Sequence, residues 1–102
     1  MSQTLADDAR KYTLLYYTPD DADTGNPPFK YRSYYLADAL EEAWRNHEAG
    51  GNVISIVQEQ RVILSSEELL ETFARMAEMI PLTPERELRE IAEQVVREKG
   101  KA

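Results

Sequence analysis

Two early segments of the chain alternate apolar and polar side chains with the two-residue period of a β-strand. Residues 11–18 are rich in aromatic and β-branched side chains, and residues 29–35 repeat the pattern. The second segment places four residues on one face, which we expect to be the inner one: Phe29, Tyr31, Ser33 and Tyr35. Residues 19–28 carry Asp, Gly, Asn and consecutive prolines, which are typical of a loop. The pattern predicts a hairpin with a long connection.

The period then changes to that of an α-helix. Residues 36–49 carry one apolar stripe, formed by Leu36, Leu40, Ala43, Trp44 and His47. Gly50 follows at the position where a left-handed residue commonly ends a helix. Two apolar runs, 53–57 and 62–64, come next. They predict a second hairpin, but no glycine lies in the turn, so one long bent strand is the alternative.

A capping box marks the start of a second helix. Ser65 stands at the N-cap and Glu68 at the third helical position. The helix is expected to run to about Met79 and to end before Pro81. Its apolar stripe consists of Leu69, Leu70, Phe73, Met76, Ala77 and Ile80.

The last helix has a start signal of its own, with Thr83 as N-cap and Pro84 in the first turn, and is expected to reach Glu98. Its apolar face consists of Leu88, Ile91, Ala92, Val95 and Val96. The stripe is narrow and the remaining faces are charged. The helix therefore either docks on the chain or pairs with a second copy, and the contact of that homodimer would be Leu88, Ile91 and Val95.

The predicted order is β-β-α-β-β-α-α. It favours an α+β fold in which a short, mostly antiparallel sheet carries helices on one face. We expect residues 1–10 to form a disordered N-terminal tail, residues 11–80 the core domain, and residues 81–102 the C-terminal amphipathic helix.

Composition excludes several classes of protein. The 102 residues suffice for one modest core, and there is no cysteine for a disulfide, a thiol nucleophile or a common zinc site. No apolar run is long enough for a membrane helix, and residues 1–10 do not resemble a secretory signal, so we expect a cytoplasmic protein without a membrane partner. The net charge of −7 disfavours direct nucleic-acid binding and favours a basic protein partner.

No grouping of residues predicts catalysis. His47 is the only histidine, and its neighbour Glu48 faces another side of the helix. Asp20, Asp21 and Asp23 resemble a calcium loop, but counting from Asp21 the twelfth position is an arginine where calcium needs a glutamate. Known phosphate-binding and hydrolase motifs are absent. We therefore expect no enzyme activity, no catalytic residues, no cofactor and no metal.

The tyrosines are the strongest functional lead in the sequence. All six lie between Tyr12 and Tyr35, on both sides of the loop. Tyrosine combines an apolar ring with a polar hydroxyl and is common at contact surfaces. Strand alternation divides the six into an inner set with Tyr31 and Tyr35 and an exposed set. The contact surface is predicted to consist of Tyr17, Asp20, Asp21, Asp23 and Tyr34.

These features favour a non-enzymatic domain that works by protein–protein interaction or regulation. Two alternatives remain open. An acidic inhibitor could occupy the nucleic-acid-binding groove of a partner, in the manner of phage anti-defence proteins, if its carboxylates form one array. A small-ligand-binding domain would instead need a pocket beneath the loop, lined by tyrosines and His47.

Overall fold

The predicted α+β fold is confirmed by the computed structural model, which describes residues 11–21 and 25–100. The tail expected at residues 1–10 lies outside the described residues. The four strands are β1 (Tyr12–Tyr17), β2 (Phe29–Ser33), β3 (Asn52–Gln58) and β4 (Arg61–Leu64). The three helices are α1 (Leu36–Glu48), α2 (Ser66–Leu82) and α3 (Leu88–Gly100).

The strands form one antiparallel sheet in the order β2-β1-β3-β4. The central strand β1 pairs with β2 on one side and β3 on the other, so that Leu14 lies opposite both Tyr31 and Ile56. The register shifts once between β1 and β3 and once between β3 and β4. Each shift adds one unpaired residue, which bends the strand locally.

Residues 52–64 form a hairpin, so the alternative of one bent strand is wrong. β3 and β4 pair around a two-residue turn made by Glu59 and Gln60. Both residues have positive φ, 52° and 67°. A two-residue turn of this hand matches the twist of the strands, although glycine or asparagine usually supplies it.

All three helices lie on the inner side of the sheet. α1 packs on β1, β2 and β3, α2 packs on β3 and β4, and α3 packs on the other two helices. Leu14, Ile56 and Leu64 point from the sheet into the same core as Leu40 and Trp44 of α1. The core is therefore enclosed between one layer of strands and one layer of helices.

The last helix is docked. Ile91 and Val95 are each 2% exposed, and both belong to the hydrophobic core of their own chain. Leu88 is partly buried against the same core. The homodimer contact expected through Leu88, Ile91 and Val95 is therefore occupied within the chain, because those side chains already pack in the core that α3 shares with α1 and α2.

The capping box at the start of α2 is present. The Ser65 hydroxyl accepts a hydrogen bond from the Glu68 backbone N–H at 3.2 Å, and the Glu68 carboxylate accepts one from the Ser65 N–H at 3.0 Å. The expected end before Pro81 is wrong, since the helix continues to Leu82. The carbonyl of Met79 near that end accepts hydrogen bonds from the Thr83 hydroxyl at 2.9 Å and from the Thr83 backbone N–H at 3.1 Å.

Thr83 therefore ends α2 and does not begin α3, which starts only at Leu88. The residues between form a turn closed by the Arg86 N–H and the Thr83 carbonyl at 3.0 Å. The predicted stripe of α2 is also shifted: Leu70 is 52% exposed, whereas Met79 is 6% exposed.

Tyr35 is not an inner strand residue. β2 ends at Ser33, and Tyr35 is the extended N-cap residue of α1, with its side chain 63% exposed. Ser33 enforces the change of direction, because its hydroxyl accepts a hydrogen bond from the Tyr35 N–H and donates one to Asp38 at 2.7 Å. The expectation holds for Tyr31, which packs against the core.

The end of α1 is joined to the sheet by Asn46. Its side-chain amide donates hydrogen bonds to the carbonyls of Tyr17, at 3.1 Å, and Asn52, at 3.4 Å. Gly50 has φ 95°, which confirms it as the left-handed residue that ends the helix. A Cβ on Gly51 would overlap the Tyr17 carbonyl and the Asn46 side chain, so this crossing requires glycine.

Candidate functional site

The residues predicted to form one contact surface lie apart. Tyr17 pairs with Asn52 at the loop end of the β1–β2 hairpin. Tyr34 follows Ser33, which pairs with Tyr12 at the other end. The strand length therefore separates the two tyrosines.

The loop residues contribute little that is organised for binding. Asp20 is exposed, and Asp21 accepts a hydrogen bond from the Thr18 hydroxyl at 3.0 Å. Asp23 lies outside the described residues. Within residues 11–21 and 25–100, no group of three or more acidic or histidine side chains is arranged to hold a metal ion.

The two exposed tyrosines each lie beneath a cation. The Lys11 ammonium is 5.0 Å from the centre of the Tyr34 ring, and the Arg89 guanidinium is 5.7 Å from that of Tyr35. Arg89 also forms ion pairs with Asp38 and with Glu93. The contacts of Arg89 with Tyr35 and Asp38 hold the start of α1 against α3, which is a structural role.

His47 has aromatic neighbours in place of a catalytic partner. Its ring stacks on Phe73 at 4.7 Å and lies 6.1 Å from Trp44. A cavity of about 450 Å³ opens nearby between the helices, with Trp44, Ile80, Leu88 and Ile91 in its wall. Neither His47 nor any tyrosine lines that cavity, so it is not the pocket expected beneath the loop.

The other side of the sheet is a surface that no described helix covers. We call it the outer face. Strand alternation and the two bulges give it ten residues: Thr13, Leu15, Tyr17, Lys30, Arg32, Asn52, Ile54, Ser55, Val57 and Val62. Its aliphatic members do not pack against the hydrophobic core, which lies on the opposite side.

The pairing arranges these side chains in rows across the strands. One row runs Arg32, Thr13, Val57 and Val62, and the next runs Lys30, Leu15 and Ser55. The cations thus stand together on the edge strand β2, and the aliphatic side chains occupy the centre and the far edge. Val62 is 61% exposed.

This composition is unusual for a water-facing surface. An antiparallel sheet with one solvated face normally alternates apolar residues inward and polar residues outward. Here Leu15, Ile54, Val57 and Val62 occupy outward positions beside inward-facing Leu14, Ile56 and Leu64. Val62 is exposed, whereas Leu15, Ile54 and Val57 are half-buried and Ser55 is buried. A cluster of partly exposed apolar side chains on a small domain commonly marks a site of contact.

The sequence of the strands already indicates that this second face is apolar. The runs Leu14-Leu15, 53–57 and 62–64 are apolar in both phases of the two-residue repeat. Strands of that kind are covered on both sides. The three helices cover one side only, and the second remains unaccounted for within the described chain.

The two layers of the domain differ in charge. The strands contain three basic and no acidic residues, whereas the helices contain eleven acidic and five basic residues. Several helical carboxylates form ion pairs, among them Glu41 with Arg45 at 2.9 Å and Glu98 with Arg75 at 3.2 Å. The hydrogen bond and charge of Glu98 raise the pKa of Arg75. The acidity of the protein is therefore a property of the helical layer.

Comparison with protein-family models, curated proteins and solved structures finds no match to this chain. None of the helices in the described residues combines the length and the apolar character required to cross a membrane.

Proposed function

We propose that this protein is a non-enzymatic interaction domain that binds another protein through the outer face of its sheet. The observation that carries the proposal is the cluster of outward aliphatic side chains in two adjacent rows, above all Leu15, Val57 and Val62, on a face that no described helix covers. Burying such side chains under a partner would release about 25 cal/mol for each Å² of apolar surface removed from water.

The flanking chemistry supports a protein partner. Apolar centres with charged rims are typical of protein interfaces. Lys30 and Arg32 provide such a rim along β2. No described ion pair involves either side chain, so both charges are available to a partner.

The two alternative functions receive less support. An inhibitor that imitates nucleic acid needs free carboxylates, but Glu41, Glu90 and Glu93 are paired with arginines of their own helices or connection. A small-ligand domain needs polar groups directed into a pocket. Arg86 at the helical cavity already donates a hydrogen bond to Gln94 and one to the Glu90 carbonyl.

The test is affinity purification of the full-length protein from its native host, quantified by mass spectrometry. Val62→Asp places a charge on the outer face, and the matched control Leu70→Asp places one on α2 at a similarly exposed leucine, 52% against 61%. We expect Val62→Asp to lose a specific protein that Leu70→Asp retains. Loss in the Leu70 variant alone would contradict the proposal.

A further inference from the structure

We infer that the partner presents an acidic amphipathic helix to the outer face. This inference rests on the proposed function and adds the chemistry of the partner. Its first support is charge complementarity: the outer face carries Lys30 and Arg32, and none of its ten residues is acidic. A partner without carboxylates would leave both cations uncompensated when it covers the sheet.

The positions of the two cations also determine which side of the partner must be acidic. Both cations lie on β2, two residues apart on one strand, whereas Leu15, Val57 and Val62 lie on the other three strands. A partner that complements this face must be apolar in the middle and acidic along one side. An amphipathic helix has that division, because residues three and four apart share one side of it.

The dimensions of the face suit one helix. The row from Arg32 to Val62 crosses four strands, which are about 14 Å wide at ordinary strand spacing. A helix with its side chains is about 10–12 Å in diameter. One helix therefore covers the aliphatic centre and still reaches the cations at the β2 edge.

Two other occupants fit less well. Single-stranded nucleic acid stacks its bases on aromatic rings within a positive groove, but the centre of this face is aliphatic and Tyr17 lies at its end. The outer face of a second copy would bring two more cations and no strand carboxylate. Neither compensates the charge on β2.

The experiment titrates the isotope-labelled full-length chain with three probes and follows its backbone amides by NMR. Two are synthetic helical peptides of equal length with the same leucine stripe, one with glutamate and the other with lysine at the polar positions. The third is oligothymidine. We expect the glutamate peptide to bind most tightly, to shift amides of β1, β3 and β4, and to weaken as salt is added.

Charge variants test the role of β2 directly. Lys30→Gln combined with Arg32→Gln should lower the affinity for the glutamate peptide about tenfold, since each lost charge pair lowers it a few-fold. Arg97→Gln, an exposed change on α3, is the matched control and should leave affinity unchanged. Equal loss in both variants would contradict the inference.

The outcomes separate the inference from the function on which it rests. Equal binding of both peptides at the outer face would refute an acidic partner and leave a protein contact there intact. Preference for the lysine peptide or for oligothymidine, or no binding of the glutamate peptide at millimolar concentration, would also refute the inference. If Val62→Asp retained every partner protein, the proposed function itself would fail.

Discussion

Burial of single residues decides which tyrosines stabilise the fold. Tyr31 packs against the core, whereas Tyr35 is 63% exposed and touches Arg89 at the surface. We expect Tyr31→Ala to lower the free energy of unfolding by about 2 kcal/mol and Tyr35→Ala by less than about 1 kcal/mol. Urea denaturation of both variants measures this ranking. A larger loss for Tyr35 would mean that its ring is part of the core.

Gly51 and Gly50 are adjacent but constrained for different reasons. A Cβ on Gly51 would overlap the carbonyl of Tyr17. A Cβ on Gly50 would have its nearest neighbour at 3.9 Å, so the only cost there is the backbone strain of an L-residue at φ 95°. We expect Gly51→Ala to cost at least about 2 kcal/mol and Gly50→Ala about 1 kcal/mol. Thermal unfolding of the two variants tests the order, and equal losses would contradict the close crossing at Gly51.

At the scale of elements, the β3–β4 turn stores strain. Glu59 and Gln60 both adopt left-handed backbone angles without the help of glycine. The double variant Glu59→Asn with Gln60→Gly has the sequence preferred in such turns. It should raise the free energy of unfolding by about 1 kcal/mol. No gain in chemical denaturation would indicate that the native turn is unstrained.

The free energy of unfolding should depend on pH because of the capping box at the start of α2. Hydrogen bonds from Ser65 lower the pKa of Glu68 below its ordinary value of 4.5. A lowered pKa stabilises the folded protein above pH 4.5, and that contribution disappears as the pH falls through the folded value. The stability difference between wild type and Glu68→Ala should therefore be present at neutral pH and vanish in acid. A difference that persists unchanged in acid would contradict the role of the Glu68 carboxylate in the cap.

Local patterns predicted the order of elements because each element had its own signal. The capping box at Ser65, the glycine at 50 and the stripe of α3 all depend on residues within one or two turns. An error arose where a side-chain hydrogen bond overrides the strand pattern. Tyr35 continues the alternation of β2, yet the Ser33 and Asp38 hydrogen bond turns the chain into α1 before that residue.

The candidate site was harder to predict than the fold. The clustering of the tyrosines in the sequence suggested a contact surface around the loop. Strand pairing instead places Tyr17 and Tyr34 at opposite ends of a hairpin. The outer face depends on which side of the sheet the helices choose. That choice follows from packing among all three helices, and no single segment encodes it.

At the scale of the whole molecule, charge and apolar surface are divided between two layers. The helices carry eleven of the nineteen acidic residues, and the strands carry none but present basic and aliphatic side chains on a face that no described helix covers. A net charge of −7 therefore does not describe the surface that a partner would meet. Under the proposed function, the local charge of the outer face, and not the net charge of the chain, selects the partner.

Site-specific photo-crosslinking in the native host tests the central claim most directly. A photoreactive phenylalanine analogue replaces Val62 on the outer face or, in the control, Leu70 on α2; both side chains are more than half exposed. If the partner binds the outer face, position 62 gives a discrete crosslinked protein and position 70 gives none. Crosslinking at position 70 with none at position 62 would show that the partner binds the helical layer.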